Sequence, residues 1–567
     1  MTAPTIRTET VSAWKEEHRP LLDRAMRAVA DREYWNAYEE DRAAYGPDAE
    51  KAGERLFREQ LDRPFELEQP GTDGWVGPGG ERSPFGFDLG VSYPHSRPEV
   101  LLPAVSGAAA AWAEADPWTR AAVCAETLSR INADSHAFAH AAAHTSGQGS
   151  LMAFHAGAAH AQDRGLEAVA QILSEQTRLP DRVLWRKPTG QGWETLTKSF
   201  SSVPRGTGLV VGGAVVPVWN TYPGLFASLA AGNGVVVKPH PRAVLPLAMT
   251  VRTARQVLRE AGFSPNTVCL AVERPGEELA RVLARRPEVR VVDYTGTSAF
   301  GEWLEENCPQ AFVFTQKSAV NPLLVESTDD YSGLVENLAF TLALYSGRLC
   351  TAPQNLFVPE AGIATDQGHR SLERFVGDVG DAVTGLLSDG APSAELLGAI
   401  GDESVLEAWD RAASGALGEV LYRGPRVTHP AYPEALFRSP LLVRAAPGAN
   451  TTLTEYPGPV GFVVPTASAE EALRFMGHSA RTGGTLTAGL HTTDVALMER
   501  AERFAREYGV HLSVNLTGPW LLTQSSVFSD VHGSGANPAS NSADLRGAFL
   551  TSRFTVVGVR RRIRETG

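Results

Sequence analysis

Cysteine is scarce: 567 residues hold four, Cys124, Cys269, Cys308 and Cys350, and no two fall in a CxxC pair. That scarcity excludes a disulfide framework and offers no thiolate set for zinc, so the sequence predicts no bound metal and a reducing, cytoplasmic setting. Long apolar runs are also missing. No stretch approaches the ~20 residues that span a bilayer, and the N-terminus runs into charged, helix-like sequence without an apolar leader core. Basic residues are outnumbered, 52 Lys and Arg against 65 Asp and Glu, for a net charge of −13. Such a chain has no broad surface for nucleic acid or an anionic membrane, while a local basic pocket for a phosphorylated ligand stays open.

What is present is an ordinary globular composition, 43% hydrophobic, long enough for two to four domains. Residues 11–60 read as helical, and the Pro/Gly-rich run from Pro70 to Pro84 reads as a linker, so residues 1–95 look like an appended extension. Three Ala-rich helices are expected from Pro98 to Thr177. The second carries His136, His140 and His144 at i, i+4, i+8, and no carboxylate is in place beside them, so they read as solvated histidines and not as a metal face. A polar hairpin follows from Arg182 to Ser202. Short apolar strands near 209–211, 234–238, 268–272 and 289–293 then alternate with helices, which predicts a parallel sheet covered on both faces. Residues 310–510 repeat the α/β character. The basic tail Phe554 to Arg562 is β-like but too short to fold alone, so it needs a pairing partner.

Four segments make chemical sense beside one thiol. Cys350 follows a glycine turn at Gly347 in a small, polar run, where local dipoles could expose it and draw off its proton. In Val216-Pro217-Val218-Trp219-Asn220 the Asn sits past a strand end, as a turn cap or as an amide donor to an oxyanion. Lys238 emerges at a strand's C-terminal end, with His240 two residues on. Gly296, Thr297 and Gly301 form a strand–glycine–helix turn suited to a phosphate, and the lack of a P-loop lysine argues against NTP hydrolysis. Glu455 precedes the rigid Pro457-Gly458 turn and could grip a ribose diol.

Taken in this order and spacing, these segments resemble the aldehyde dehydrogenase superfamily over roughly residues 95 to 560. Residues 30–95 and the run Phe528 to Asn541 look like its phenylacetic acid degradation (PaaN) subgroup. The resemblance implies an α/β fold of three parts: a Rossmann-type NAD(P)-binding domain (96–181 and 203–315), an α/β catalytic domain (316–510), and a small β bridging and oligomerisation element (182–202 with 540–567). It implies a homodimer or homotetramer. It also implies that Cys350 attacks an aldehyde, that the Asn220 amide and the Cys350 backbone N–H hold the oxyanion, and that hydride leaves for a nicotinamide. Val216, Pro217, Trp219, Lys238, His240, Gly296, Thr297, Gly301 and Glu455 would hold the dinucleotide.

Two departures from the family pattern matter. Pro241 stands where NAD-preferring relatives commonly carry a glutamate, and His240 and Arg242 flank it, so NADP is expected over NAD. Gln316 stands where the general-base glutamate belongs, and an amide cannot take a proton from water. Hydride transfer could then survive while hydrolysis of the Cys350 thioester needs another route: a substitute acidic group, thiolysis by coenzyme A, or no turnover in a weakened homologue that binds aldehyde or nucleotide. The subgroup resemblance implies a semialdehyde from phenylacetate catabolism as substrate, with ring hydrolysis left to a separate protein. The Gly/Ser/Asn-rich loop Val531 to Asn541 reads either as a lining of the substrate tunnel, with Trp520 and Phe528 above it, or as an ordered loop between subunits.

Overall fold

The computed structural model describes residues 7–77, 80–190, 192–518, 520 and 526–563. Two parallel sheets form the frame. The first holds Thr207–Val211, Gly234–Lys238, Val268–Leu270, Val289–Thr295 and Phe312–Gln316, with Val268–Leu270 at one edge and Phe312–Gln316 at the other. In its inner strands nearly every residue is buried, because helices cover both faces and β-branched side chains pack on each. The second sheet has seven strands in the order Val420–Arg423, Leu441–Arg444, Val460–Thr466, Pro353–Pro359, Asn321–Val325, Thr487–His491 and His511–Val514. All its neighbours are parallel except the first pair. Ligand sites in such folds lie off the carboxyl ends of the strands.

A third, antiparallel sheet joins Arg182–Thr189, Gly192–Pro204 and Phe554–Arg562. The tail thus finds its partner in the polar hairpin. A buried ion pair anchors its root: Arg553, fully buried, holds Asp293 of the first sheet through two hydrogen bonds of 2.9 and 2.5 Å and also donates to Ser228 Oγ at 2.7 Å.

The helical layer corrects two expectations. Between Pro98 and Thr177 there are more than three helices: Pro98–Ala113, Pro117–Ala133, Ser135–Ser146, and a last run from Ser150 to Thr177 interrupted by a π-turn at His155–Ala159. The histidines of Ser135–Ser146 are not solvated. His136 and His144 are buried, Glu50 lies 2.9 Å from His136 and 3.2 Å from His140, and Phe57 stacks on His144 with 4.9 Å between ring centres. Burial pushes His144 down to about 3, so it stays neutral.

Those partners come from the N-terminal segment, which is integrated, not appended. Its helix Thr8–Asp31 packs on Pro117–Ala133 and His160–Thr177, and Ala49–Arg58 packs on Ser135–Ser146. The presumed linker contains a strand, Thr72–Val76, paired with Tyr93–Ser96. Gln69 completes the open edge of the first sheet by giving a hydrogen bond to the Leu270 carbonyl and taking one from its N–H. Glu81, buried, accepts from the N–H groups of Val244 and Leu245 and so caps the helix Leu245–Glu260.

Removing one member of a buried pair strands the other charge. Arg553→Met is therefore expected to cost ~3–5 kcal/mol, read as a lower denaturant midpoint, with the three-stranded sheet loosened first in hydrogen exchange.

Candidate active site

Cys350 owes its position to backbone geometry that few residues tolerate. Tyr345, Ser346 and Gly347 run consecutively in left-handed conformations, with φ of 51°, 50° and 62°. Two non-glycine residues in that region are strained, and tertiary bonds hold them there. The fully buried Tyr345 hydroxyl donates to the carbonyls of Ser146 (2.9 Å) and Val215 (2.8 Å), and Ser346 Oγ donates to those of Leu397 (3.0 Å) and Arg438 (3.2 Å). At Gly347 a Cβ would sit 3.1 Å from the Gly458 carbonyl oxygen. On the far side, the buried Asn321 amide donates to the Cys350 carbonyl at 2.8 Å and to that of Ala352 at 3.1 Å. Sequence reading did not single out Asn321, because its role is a bond to a distant backbone.

A cavity of about 360 Å³ opens at this point between the two sheets. Cys350, Asn220, Val216, Gly296, Thr297 and Glu455 all line it. The helix Pro217–Ala230 presents Asn220 from its first turn, where Pro217 fits because its missing N–H would have no helical partner. Asn220 Oδ1 is buried without a hydrogen-bond partner among the described residues, so the amide is not committed to capping a turn. The helix Ser298–Asn307 starts directly after Thr297 with no side-chain cap, which leaves its N–H groups to an anion. Gln354 steadies the Glu455 loop: its Oε1 accepts from the Tyr456 N–H at 2.7 Å and its amide donates to the Thr454 carbonyl at 3.0 Å. Arg82, Arg242, Lys317 and Arg348 line the cavity against Asp402 and Glu455. This excess of positive charge, with a bare helix N-terminus, fits a dinucleotide diphosphate.

Other predicted residues lie elsewhere. Pro217 is buried beneath the helix start. Trp219 is not in the cavity lining; Arg164 lies over its ring at 4.5 Å and the His532 ring stands edge-on at 5.1 Å. Lys238 is buried in an ion pair with Glu273. Gly301 is not in the lining of this cavity; a Cβ there would meet Lys317 Cδ at 2.7 Å, so the glycine makes room for a lysine side chain. Gly296 likewise makes room for Tyr294, whose hydroxyl oxygen would sit 2.3 Å from a Cβ. Gln316 ends its strand: its carbonyl accepts from Gly296 N–H at 3.0 Å, and the residue borders a small recess shared with Asn220, outside the lining around Cys350.

The electrostatics correct two further expectations. Cys350 is not stripped of its proton: burial, with Glu455 adding to it, pushes the thiol up to about 12, against the lowering effect of its own and the Thr351 backbone N–H groups and of Arg164. His240 is not cationic. Burial, helped by Arg242 and Lys238, pushes it down to about 4, and its Nδ1 accepts from the Arg242 N–H at 3.1 Å. Arg242 itself is paired to Asp402 at 2.6 Å. Phe528 is fully buried against Trp35, and Trp520 is 70% exposed. The Val531 to Asn541 loop does approach the thiol: His532 Nε2 lies 3.7 Å from Cys350 Sγ. Sequence reading named this loop but not this residue, and the histidine inside its Gly/Ser/Asn run was the available signal.

The aldehyde dehydrogenase family model matches residues 96–535, and the chain belongs to that family. It is similar to an NAD-dependent aldehyde dehydrogenase from Burkholderia multivorans, with 43% identity over 97% of this chain and 99% of that one and a TM-score of 0.93. The fold is shared with a 1-pyrroline-5-carboxylate dehydrogenase from Thermus with bound NAD, with 19% identity, 91% of this chain, 96% of that one and a TM-score of 0.72. A phenylacetaldehyde dehydrogenase from Pseudomonas fluorescens is 29% identical over 156 residues, 26% of this chain. The chain spans 30% of the length of that curated relative.

Since the raised thiol gains thiolate only as pH climbs toward its own value, alkylation of Cys350 by iodoacetamide is expected to keep rising between about pH 8 and pH 10, with no plateau near the ordinary ~8.5. A plateau there would contradict it. Gly347→Ala is expected to cost roughly 1–3 kcal/mol of strain and to displace the thiol, read as a lower melting temperature together with lost alkylation.

Proposed function

We propose that the protein oxidises an aldehyde to a carboxylic acid, with Cys350 as the attacking nucleophile and Asn220 as a donor to the oxyanion. The observation that supports this most directly is the single cavity that carries Cys350, Asn220, the Gly296-Thr297 helix start and Glu455 together. When bound, an oxidised nicotinamide dinucleotide supplies the hydride acceptor. Gly296 and Thr297 would meet its diphosphate, Glu455 a ribose, and Val216 the nicotinamide side; Lys238 and His240, off the present lining, would lie toward the adenosine end.

NADP acceptance is part of the reading, but its support is narrower than the sequence implied. Pro241 brings no carboxylate to repel a 2′-phosphate, whereas His240 is neutral and Arg242 is engaged by Asp402. The substrate is proposed to be a semialdehyde from phenylacetate catabolism, on the subgroup likeness of residues 30–95 and 528–541. Thiolysis by coenzyme A is the second reading, favoured by Gln316 at the expected base position and off the thiol cavity. We also propose a homodimer or homotetramer joined through the three-stranded sheet. Leu184, Trp193, Val557 and Val559 share one face of that sheet by strand register and are 47–60% exposed, a larger apolar face than a solvated antiparallel sheet of this size needs.

Stopped-flow mixing with excess semialdehyde and NADP is expected to give reduced cofactor beyond one equivalent without coenzyme A; turnover appearing only on adding coenzyme A would favour the second reading. Pro241→Glu is expected to lower kcat/KM for NADP by about tenfold or more relative to NAD, because it sets a carboxylate against the 2′-phosphate. Light scattering of the intact chain is expected to show two or four subunits, and Val557→Glu to lower that number.

A further inference from the structure

We propose that His532 is the proton acceptor for Cys350 and for the water that releases its acyl group, filling the role that Gln316 cannot. This deepens the aldehyde-oxidation reading and rests on it for the second of those two steps. The geometry is direct: Nε2 of His532 lies 3.7 Å from Sγ, hydrogen-bonding range for sulfur, and His532 is 3% exposed.

The histidine is placed by the loop around it, not by its own chance rotamer. Asn537 is tied to the second sheet: its Oδ1 accepts from the Thr485 N–H at 3.1 Å, and its amide donates to the Thr485 carbonyl at 2.9 Å and to the Gly509 carbonyl at 3.1 Å. Asn541 is tied to the first sheet: its Oδ1 accepts from the Thr315 N–H at 2.9 Å and its amide donates to the Val313 carbonyl at 2.8 Å. The His532 carbonyl accepts from the Asp544 N–H at 2.9 Å, and the Trp219 ring closes one side of the imidazole. A loop bound to both sheets holds one nitrogen at the sulfur that lies between them.

The surrounding charges set the protonation states. Arg164 and His511 face the imidazole, and Glu455 and Arg164 face the thiol; Arg164 is itself paired with Asp544 and Glu167. Burial, with Arg164 and His511 adding to it, pushes His532 down to about 3, so at neutral pH it is uncharged. Thiol and imidazole therefore rest as a neutral pair, and no buried ion pair has to be stabilised before substrate arrives.

Each step then balances. As Sγ bonds to the aldehyde carbon, the S–H proton passes to Nε2, and the carbonyl pair moves to oxygen, which accepts from the Asn220 amide. The carbonyl would re-form with loss of the C–H hydride, for which a bound oxidised nicotinamide would supply the acceptor, and the proton on Nε2 is lost to solvent. Water next gives a proton to Nε2 as its oxygen bonds to the thioester carbon; the C–S bond breaks, and the thiolate recovers that proton. Aldehyde, water and oxidised cofactor become carboxylate, reduced cofactor and two protons.

The test uses the intact chain with His532→Gln and His532→Ala, each checked by thermal melting. Cofactor-free alkylation of Cys350 by iodoacetamide reports on the thiol alone. In the wild type, imidazole-assisted attack is expected to give a rate flat between about pH 6 and pH 8, below the climb toward the thiol's own range. In His532→Gln the floor is expected to vanish, leaving a tenfold rise per pH unit, and added imidazole to restore it in His532→Ala. With aldehyde and cofactor, steady turnover of His532→Gln is expected to fall ~10²–10⁴-fold, more than the first hydride transfer. A wild-type rate that follows hydroxide with unit slope throughout would overturn the proposal even if neither variant folds, as would variants that alkylate like the wild type. Absence of any aldehyde oxidation by the wild type would instead remove the proposed function, with the alkylation profiles still deciding the role of His532.

Discussion

The left-handed run Tyr345-Ser346-Gly347 is the constraint on which the site depends. It links the helix Tyr331–Ala343 to the strand Pro353–Pro359, and it leaves Cys350 in the lining of the cleft. Residues other than glycine resist this conformation, so it persists only where other bonds outweigh the strain. Those bonds come from four places distant in sequence: Ser146, the Val215 turn of the first sheet, Leu397 and Arg438. The nucleophile's position is therefore a property of the assembled molecule.

The same logic explains the two segments outside the parallel sheets. The N-terminal segment completes a sheet edge with Gln69, caps a helix with Glu81, and reaches the far loop through Arg32, which donates to the carbonyls of Phe528 and Ser529 at 3.3 Å each. The C-terminal segment answers from the other side, with Asn537 and Asn541 on the two sheets and Arg553 on Asp293. Between these braces lies a dense set of buried ionisable groups, Asp163, Arg164, Glu167 and Asp544, of which Arg164 acts on the Cys350 thiol. Burial raises all three carboxyls, and each is offset by Arg164 or by backbone N–H donors. A polar cluster of that cost is tolerated where the surrounding structure fixes every partner.

Much of the frame was legible in the residues. Runs such as Gly234-Val235-Val236-Val237-Lys238 can hardly be anything but buried parallel strands, and the Pro at the start of Pro217–Ala230 marks a helix entry without any tertiary information. The pairing need of the tail was legible from its brevity. The histidines of Ser135–Ser146 were misread because their carboxylate, Glu50, and their stacking partner, Phe57, lie 86 to 90 residues away in the chain. Trp219 and Gly301 were assigned to the cofactor by motif position, yet what each side faces is decided by packing: Arg164 and His532 on the tryptophan, Lys317 on the glycine.

The sequence by itself determined the chemistry available: one thiol in a glycine turn, an amide after a strand end, a glycine turn opening a helix, and an amide where a carboxylate was expected. Those are covalent and local facts, readable wherever the residues stand. Only the tertiary structure decided their electrostatic state, because desolvation depends on which atoms close around a group and not on its neighbours in the chain. It turned Cys350 from an expected thiolate into a protonated thiol and His240 from a cation into a neutral ring. It also set beside the sulfur a histidine that lies 182 residues away.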